Sequence, residues 1–309
     1  MTYDLAIIGG GPAGIAAGVY AARKKLQTIF LTDDWGGQST VSPEIQNWIG
    51  IKTISGEALA SQLKDHLFAY QGAGLKIVDS VRVSSITKDN ETFSVTTDHN
   101  EKYEAKTILI TTGAHRRKLT VPGAETFEQK GITYCASCDA PLFADKAVVV
   151  IGGGNAAFES VSQLLAYASH VTILHHSADF KADAITIERV LANPKVTAIK
   201  NAEMIEMKGE QFVSSLIYQD KTSGAKKEIS VEGIFVEIGF LPTTGLVKDL
   251  LSLNKYDSIV VDPRTQRSSL TGIWAAGDCT DGLFHQNNIA VGDAIKALED
   301  IYNYLHLGK

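Results

Sequence analysis

Twice in 309 residues an apolar run ends in a glycine triplet and passes into a helical pattern. It occurs as IIGGGPAGIAAGVYAA from residue 7 and again, about 143 residues on, as VIGGGNAAFESVSQLL. A strand buried on both faces reads as a continuous apolar run, and its parallel neighbour is reached only through a crossover, usually a helix. Strand, glycine turn and helix in that order therefore predict an α/β chain with two Rossmann-like, three-layer folds. TILITTGA (107–114), GIFVEIGF (233–240) and GIWAAGD (272–278) read as further buried strands ending at tight turns. Residues 80–106 and 202–232 instead alternate apolar and polar positions between turns, so each fold is expected to carry a small antiparallel β-meander.

AHRRKLTVPG (114–123) and FLPTTG (240–245) place Pro and Gly between periodic stretches and are the candidate hinges. On that reading the second domain, 117–243, is inserted in the first, which is made of 1–116 and 244–309.

Gly9, Gly11 and Gly14 form G-x-G-x-x-G at the strand-to-helix turn, the context that gives this pattern its meaning. The first glycine permits the turn, the second lets backbone N–H groups approach a pyrophosphate, and the third lets helix and strand pack closely. Asp33 or Asp34, in IFLTDDWGGQ, stands at the distance expected of the acidic residue that takes the ribose hydroxyls. Gly152, Gly154 and Ala157 give a second fingerprint and imply a second nucleotide. After its next strand, VTILHHSADFKAD places His175 and His176 where an adenosine ribose should lie, with Lys181 as a further cation. Two histidines of ordinary pKa supply on the order of half a charge at pH 7, a weak substitute for the arginines that usually meet a 2′-phosphate.

The chain has three cysteines, and GITYCASCDAPLF sets Cys135 and Cys138 two residues apart. A disulfide closing so small a loop contributes only about 2 kcal/mol, against about 3 for a fifteen-residue loop. Structural zinc would need two more ligands at matching spacing, and neither a second C-x-x-C nor an H-x₃₋₅-H pair exists, so redox chemistry is the expected use and no metal is expected. Cys279 is expected to be a packing residue, while Trp35 is read either as a cover for adenine or isoalloxazine or as plain packing.

A net charge of −6 without a block of Lys or Arg argues against a nucleic-acid surface or an anionic membrane as partner. The N-terminus does not read as a signal peptide, and no apolar stretch reaches membrane-spanning length. So few cysteines, two of them in C-x-x-C, suit a reducing cytoplasm.

GGGPAG, GGQ with IQNWIG after it, TTGA, CASCD, GGGNAA and GIWAAGD with HQNNIA together resemble the low-molecular-weight flavoprotein disulfide reductases, over essentially the whole chain. That family includes thioredoxin reductase and the catalytic part of the alkyl hydroperoxide reductase flavoprotein subunit. The resemblance implies FAD on the first fold, NADPH or NADH on the second, and a homodimer. Gly9, Gly11, Pro12, Ala13 and Gly14 would hold the FAD pyrophosphate and Asp33 its ribose. Gly37, Gln38, Asn47, Thr112 and Gly113 would lie near that cofactor, as would Gly277, Asp278, Gln286 and Asn287. Gly152, Gly154, Asn155, Ala156 and Ala157, with His175, His176 and Lys181, would hold the nicotinamide coenzyme. It further implies a Cys135–Cys138 disulfide, with Cys138 the flavin-side sulfur, Cys135 the thiolate that attacks a partner disulfide, and Asp139 the acid/base.

The departures are specific. HHSADFK carries neither the leading arginines of NADPH-dependent thioredoxin reductases nor the glutamate of the hydroperoxide reductases. GITYCASCDAPLF, GIFVEIGFLP and GDCT look closer to the hydroperoxide reductase branch, whose extra dithiol domain is not found before Met1, so transfer to a separate protein is expected. The leading expectation is a reductase of thioredoxin or a glutaredoxin-like protein, with a domain rotation at the hinges that exposes Cys135. Ferredoxin as electron donor, service to a peroxiredoxin, and a flavin-bound redox sensor of slow or no turnover are the alternatives.

Overall fold

The computed structural model describes residues 1–42, 44–72 and 74–307. The chain divides into two compact units, Met1–His115 with Leu241–Lys309, and Arg116–Phe240.

The first unit opens with β1 (Thr2–Ile8), α1 (Pro12–Arg23), β2 (Thr28–Leu31), α2 (Gly56–Phe68) and β3 (Leu75–Val78), followed by β4 (Val83–Asp89), β5 (Thr92–Thr97) and β6 (Lys102–Ile110). Two short strands, β7 (Ala114–Arg116) and β16 (Phe240–Pro242), mark where the chain leaves it and returns. The second unit holds β8 (Ile132–Thr133), α3 (Ala136–Asp139), β9 (Ala147–Gly152), α4 (Asn155–Leu164), β10 (His170–Leu174), α5 (Ala184–Leu191) and β11 (Val196–Ile199). It continues with β12 (Ala202–Gly209), β13 (Val213–Asp220), β14 (Lys226–Ser230) and β15 (Gly233–Glu237). β17 (Ile273–Ala275) and α6 (Asn287–Leu307) complete the first unit.

In the first sheet the order is β3-β2-β1-β6-β5-β4, with β17 also paired to β6. The sequence separates a meander ending near 106 from a buried run starting at 107, but one nine-residue strand, β6, does both jobs. Lys102–Ala105 pairs antiparallel with β5, and Ile108–Ile110 pairs parallel with β17. On β1, Leu5 and Ile7 face the cluster built on α1 and α6, while Ala6 and Ile8 face the cluster containing Phe93 and Val95 of the meander. Both faces are covered, so every residue of the run is apolar, and each large side chain so buried contributes about 1.5–3 kcal/mol.

The second sheet is wholly parallel, in the order β11-β10-β9-β15-β8, and the meander β12-β13-β14 is a separate antiparallel sheet. Val148 and Val150 of β9 pack with Phe158, Val161 and Leu164 of α4, and Val149 and Ile151 pack with Met207, Val213 and Leu216 of the meander. Helix on one face and meander on the other is thus common to both units. No described helix is long and apolar enough to cross a membrane.

Candidate active site

In the first unit the chain turns from β1 into α1 at Gly9, whose φ of +119° only glycine adopts readily. A Cβ at Gly14 would lie 1.9 Å from the Gly9 carbonyl oxygen, so the third fingerprint position admits nothing larger. At Gly11 a Cβ would meet nothing within 4 Å, and Pro12 occupies the first turn of α1, where its missing N–H is not needed. This glycine opens on a cavity of about 540 Å³. Gly9, Gly11, Pro12, Ala13, Asp33, Gly37 and Gln38 line it, as do Thr112, Gly113, Gly277, Asp278 and Asn287. A dinucleotide pyrophosphate fits the open backbone at Gly11 and the helix N-terminus behind it, in keeping with the FAD implied by the sequence.

Asn47 and Gln286 lie outside the cavity lining and bind each other, Asn47 Nδ2 donating to Gln286 Oε1 at 3.0 Å. Asn288 Nδ2 donates to the Asn47 carbonyl at 2.7 Å, and Ser39 Oγ to Asn287 Oδ1 at 3.0 Å, so these polar side chains pin the first turn of α6. Both Asp33 and Asp34 line the cavity. Arg82 donates to Asp33 Oδ2 from Nε at 2.9 Å and approaches the same oxygen with Nη2 at 2.8 Å, leaving the second oxygen for a ligand. Burial raises the Asp34 pKa, and the neighbouring Asp33 adds to the effect.

Arg82, Thr111, His115 and Thr243 are lining residues that sequence reasoning missed. Thr243 had a usable signal, since TTGA and FLPTTG both read as turns. They meet where Thr112 Oγ1 donates to the Thr243 carbonyl at 2.7 Å and Thr243 N–H to the Gly113 carbonyl at 2.9 Å. Trp35 stacks on Phe30, centroids 5.7 Å apart, and donates to Asp79 at 2.8 Å, which is packing. Cys279 is wholly buried against the Ile110 and Ala276 carbonyls, and burial pushes its thiol pKa up to about 11.

In the second unit β9 turns at Gly152 and α4 begins at Asn155, with open space in front of Gly154. Asn155 Oδ1 accepts from the Asp183 N–H at 2.9 Å, and the Lys181 N–H donates to the Gly153 carbonyl at 2.6 Å, which draws the loop after β10 over the fingerprint. Ala157 is fully buried, whereas Ala156 is exposed on α4.

His175 is the buried member of the histidine pair. It is 4% exposed and lies beneath Gly153, where a Cβ would come within 2.4 Å of its Nδ1. Its Nε2 faces the Asp179 carbonyl at 3.1 Å, so Nε2 carries a proton. Burial first, and then the neighbouring His176, lower its pKa, so His175 brings less charge to the pair than an ordinary histidine. The exposed His176 and Lys181 remain as surface cations of this loop.

β8 delivers the cysteine pair. Cys135 and Cys138 form a disulfide with Cα atoms 5.3 Å apart, on the short α3 turn that follows this edge strand. The Cys135 carbonyl accepts from the Asp139 N–H at 3.0 Å. Thr133 links the neighbouring groups: its hydroxyl donates to the buried Asp139 carboxylate and accepts from the Cys135 N–H at 3.4 Å. Ser137 Oγ donates to Gln163 Oε1 at 2.9 Å and ties the motif to α4. The second unit therefore carries an oxidised dithiol with an adjoining carboxylate, and a glycine fingerprint at the head of the helix to which the dithiol turn is tied. Among the described residues no cluster of His, Cys, Asp or Glu is arranged to hold a metal ion.

A family model described as pyridine nucleotide-disulphide oxidoreductase matches residues 3–294. The chain is 37% identical over 303 residues to the F component of alkyl hydroperoxide reductase from Staphylococcus aureus strain Mu50, covering 98% of this chain and 59% of that protein. It is 35% identical over 303 residues to a protein named NADH dehydrogenase from Bacillus subtilis strain 168, covering 98% of this chain and 58% of the relative. The chain thus spans about three-fifths of the curated relatives it matches. The thioredoxin reductase of Streptococcus pyogenes MGAS5005 superposes with a TM-score of 0.90 at 34% identity, covering 99% of each chain.

Proposed function

We propose, on the premise that this chain belongs to the pyridine nucleotide-disulphide oxidoreductase family, that it reduces the disulfide of thioredoxin or a similar dithiol protein. The observation that carries this reading is the Cys135–Cys138 disulfide with Asp139 and Thr133 bonded beside it. FAD, when bound, supplies a two-electron carrier between a nicotinamide coenzyme and this disulfide.

The chain's own residues perform the exchange. Cys135, as the thiolate, attacks one sulfur of the partner's disulfide, forming a mixed disulfide and displacing the partner's other sulfur. Asp139 moves the proton that this departing sulfur needs, and Thr133 holds the carboxyl in place. Cys138 then attacks the Cys135 sulfur. The Cys135–Cys138 bond closes, and the partner leaves with two electrons and two protons gained.

NADH is the donor the second unit favours over NADPH. A buried His175 of lowered pKa offers less charge to a 2′-phosphate than an ordinary histidine, and His176 and Lys181 stand in place of an arginine pair. The likeness to the F component of alkyl hydroperoxide reductase supports a second partner reading, a peroxiredoxin. A homodimer in a reducing cytoplasm, with a hinge motion at the unit boundaries to expose Cys135, completes the proposal. Parallel turnover assays with thioredoxin, a glutaredoxin-like protein and a peroxiredoxin, each with NADH and with NADPH, test it. Turnover with NADH and thioredoxin supports the main reading, turnover with the peroxiredoxin alone replaces it by the second, and turnover with none contradicts both.

A further inference from the structure

The second sheet bears a carboxyl group where its fingerprint turn and a neighbouring strand end together. In the order β11-β10-β9-β15-β8, β9 is flanked on one side by β10, its successor through α4, and on the other by β15. This is the switch point of the sheet, and ligands of open parallel sheets bind outside the carboxyl ends of the strands there. Glu237 is the last residue of β15, in register with Gly152. A Cβ on Gly152 would lie 2.3 Å from the Glu237 carbonyl oxygen, so the two strand ends are in close contact. Ser160, buried on α4, donates to Glu237 Oε1 at 2.7 Å. The charged groups that act on it are Arg116 of β7, which favours its ionised form, and Glu159 of α4, which opposes it.

We propose that Glu237 is a proton-linked coenzyme residue: the second fold binds a nicotinamide dinucleotide with this carboxyl protonated, so that binding takes up a proton in the neutral range. The inference rests on reading the second fold as the coenzyme site. Ionised, Glu237 sets a negative charge at the switch point that must also receive the two negative charges of a pyrophosphate. Protonated, it removes that repulsion and keeps one O–H to donate while Oε1 accepts from Ser160. Its surroundings already prepare the neutral form, since burial pushes this carboxyl up to about 7 against the opposing effects of Ser160 and Arg116.

The test is calorimetric titration of the FAD-loaded protein with the redox-inert 1,4,5,6-tetrahydro analogue of NADH, which lacks a 2′-phosphate that would itself titrate. Runs from about pH 6 to about pH 8.5 in two buffers of different ionisation enthalpy report affinity and proton uptake together. Affinity of the unaltered protein should fall about thirtyfold over that range, with close to one proton taken up at about pH 8. Glu237→Gln should bind with nearly the same affinity throughout and take up no proton. Ser160→Ala, which removes the hydrogen bond favouring the carboxylate, should move the fall in affinity to higher pH. Parallel profiles for the unaltered protein and E237Q, or an unaltered Ser160→Ala midpoint, would overturn the role of Glu237 alone. Absence of binding by the unaltered protein and E237Q at every pH would instead overturn the reading of the second fold, and this inference with it.

Discussion

The two units use one turn and surround it differently. Each begins with a buried strand, a glycine with φ beyond +100° and a helix opening on free space. In the first, the third fingerprint position is Gly14, pressed to the Gly9 carbonyl; in the second it is Ala157, whose methyl is accommodated in the core. Beneath the middle glycine of the first lie Thr32 and the Asp34 backbone, whereas beneath that of the second lies the buried ring of His175. The first unit places Asp33, held by Arg82, at its cavity, and the second places Glu237 at its switch point. The shared pattern specifies a backbone that can receive a pyrophosphate, and residues at the ends of neighbouring strands decide which charges accompany it.

The strongest way to separate the units is to remove the chemistry of one and leave the cavity of the other. Cys135→Ser should lower dithiol-dependent turnover by about a thousandfold or more, because the attacking thiolate is lost and Cys138 alone has no partner with which to close a disulfide, while FAD content is unchanged. A matched loss of FAD would show that the two regions are not separable in this way.

Exchanging the third fingerprint residues compares the turns themselves. Gly14→Ala forces a methyl to within 1.9 Å of the Gly9 carbonyl and 2.7 Å of Thr111 Oγ1, so FAD retention on purification should drop at least about tenfold or the first unit should fail to fold. Ala157→Gly removes a buried methyl from a helix and should cost only about 1–2 kcal/mol, read from denaturant unfolding, with coenzyme affinity changed less than about threefold. Equal losses from the two changes would mean that the turns are interchangeable.

A pH-dependent effect comes from Glu237. Its folded-state pKa lies above its unfolded value, so the native state binds the extra proton between them. Stability therefore falls as pH rises from about 4.5 towards 7 and levels off above. E237Q removes that fall and should be more stable relative to the unaltered chain at about pH 8 than at about pH 4.5, by on the order of 3 kcal/mol. The smallest effect belongs to Cys279, a wholly buried thiol held near 11. Cys279→Ala should leave turnover within about twofold, and the native thiol should stay unreactive towards alkylating reagents at about pH 8.

What the sequence made legible follows from how local each signal is. Buried parallel strands and fingerprint turns announce themselves within a dozen residues, and C-x-x-C is local by construction. The burial of His175, which lowers its pKa, was not legible, because it depends on the backbone of Gly153 above the ring. Arg82 gave no signal, since it is an outward residue at the start of an ordinary meander, and only the fold brings it to Asp33. Glu237 did leave one: it is the single charged residue in GIFVEIGF, a run otherwise read as a buried strand. A carboxyl in that setting is a conflict between local pattern and burial, and such conflicts gather at functional sites.

The central claim is that electrons from a nicotinamide coenzyme reach the Cys135–Cys138 disulfide, and a thiol count tests it most directly. The FAD-loaded protein would be mixed anaerobically with two equivalents of NADH, quenched in denaturant and titrated for free thiols, with a sample lacking NADH beside it. Of three cysteines two are joined and Cys279 is free, so the account predicts one thiol per chain without NADH and three with it. A count that stays at one with both NADH and NADPH would contradict the account.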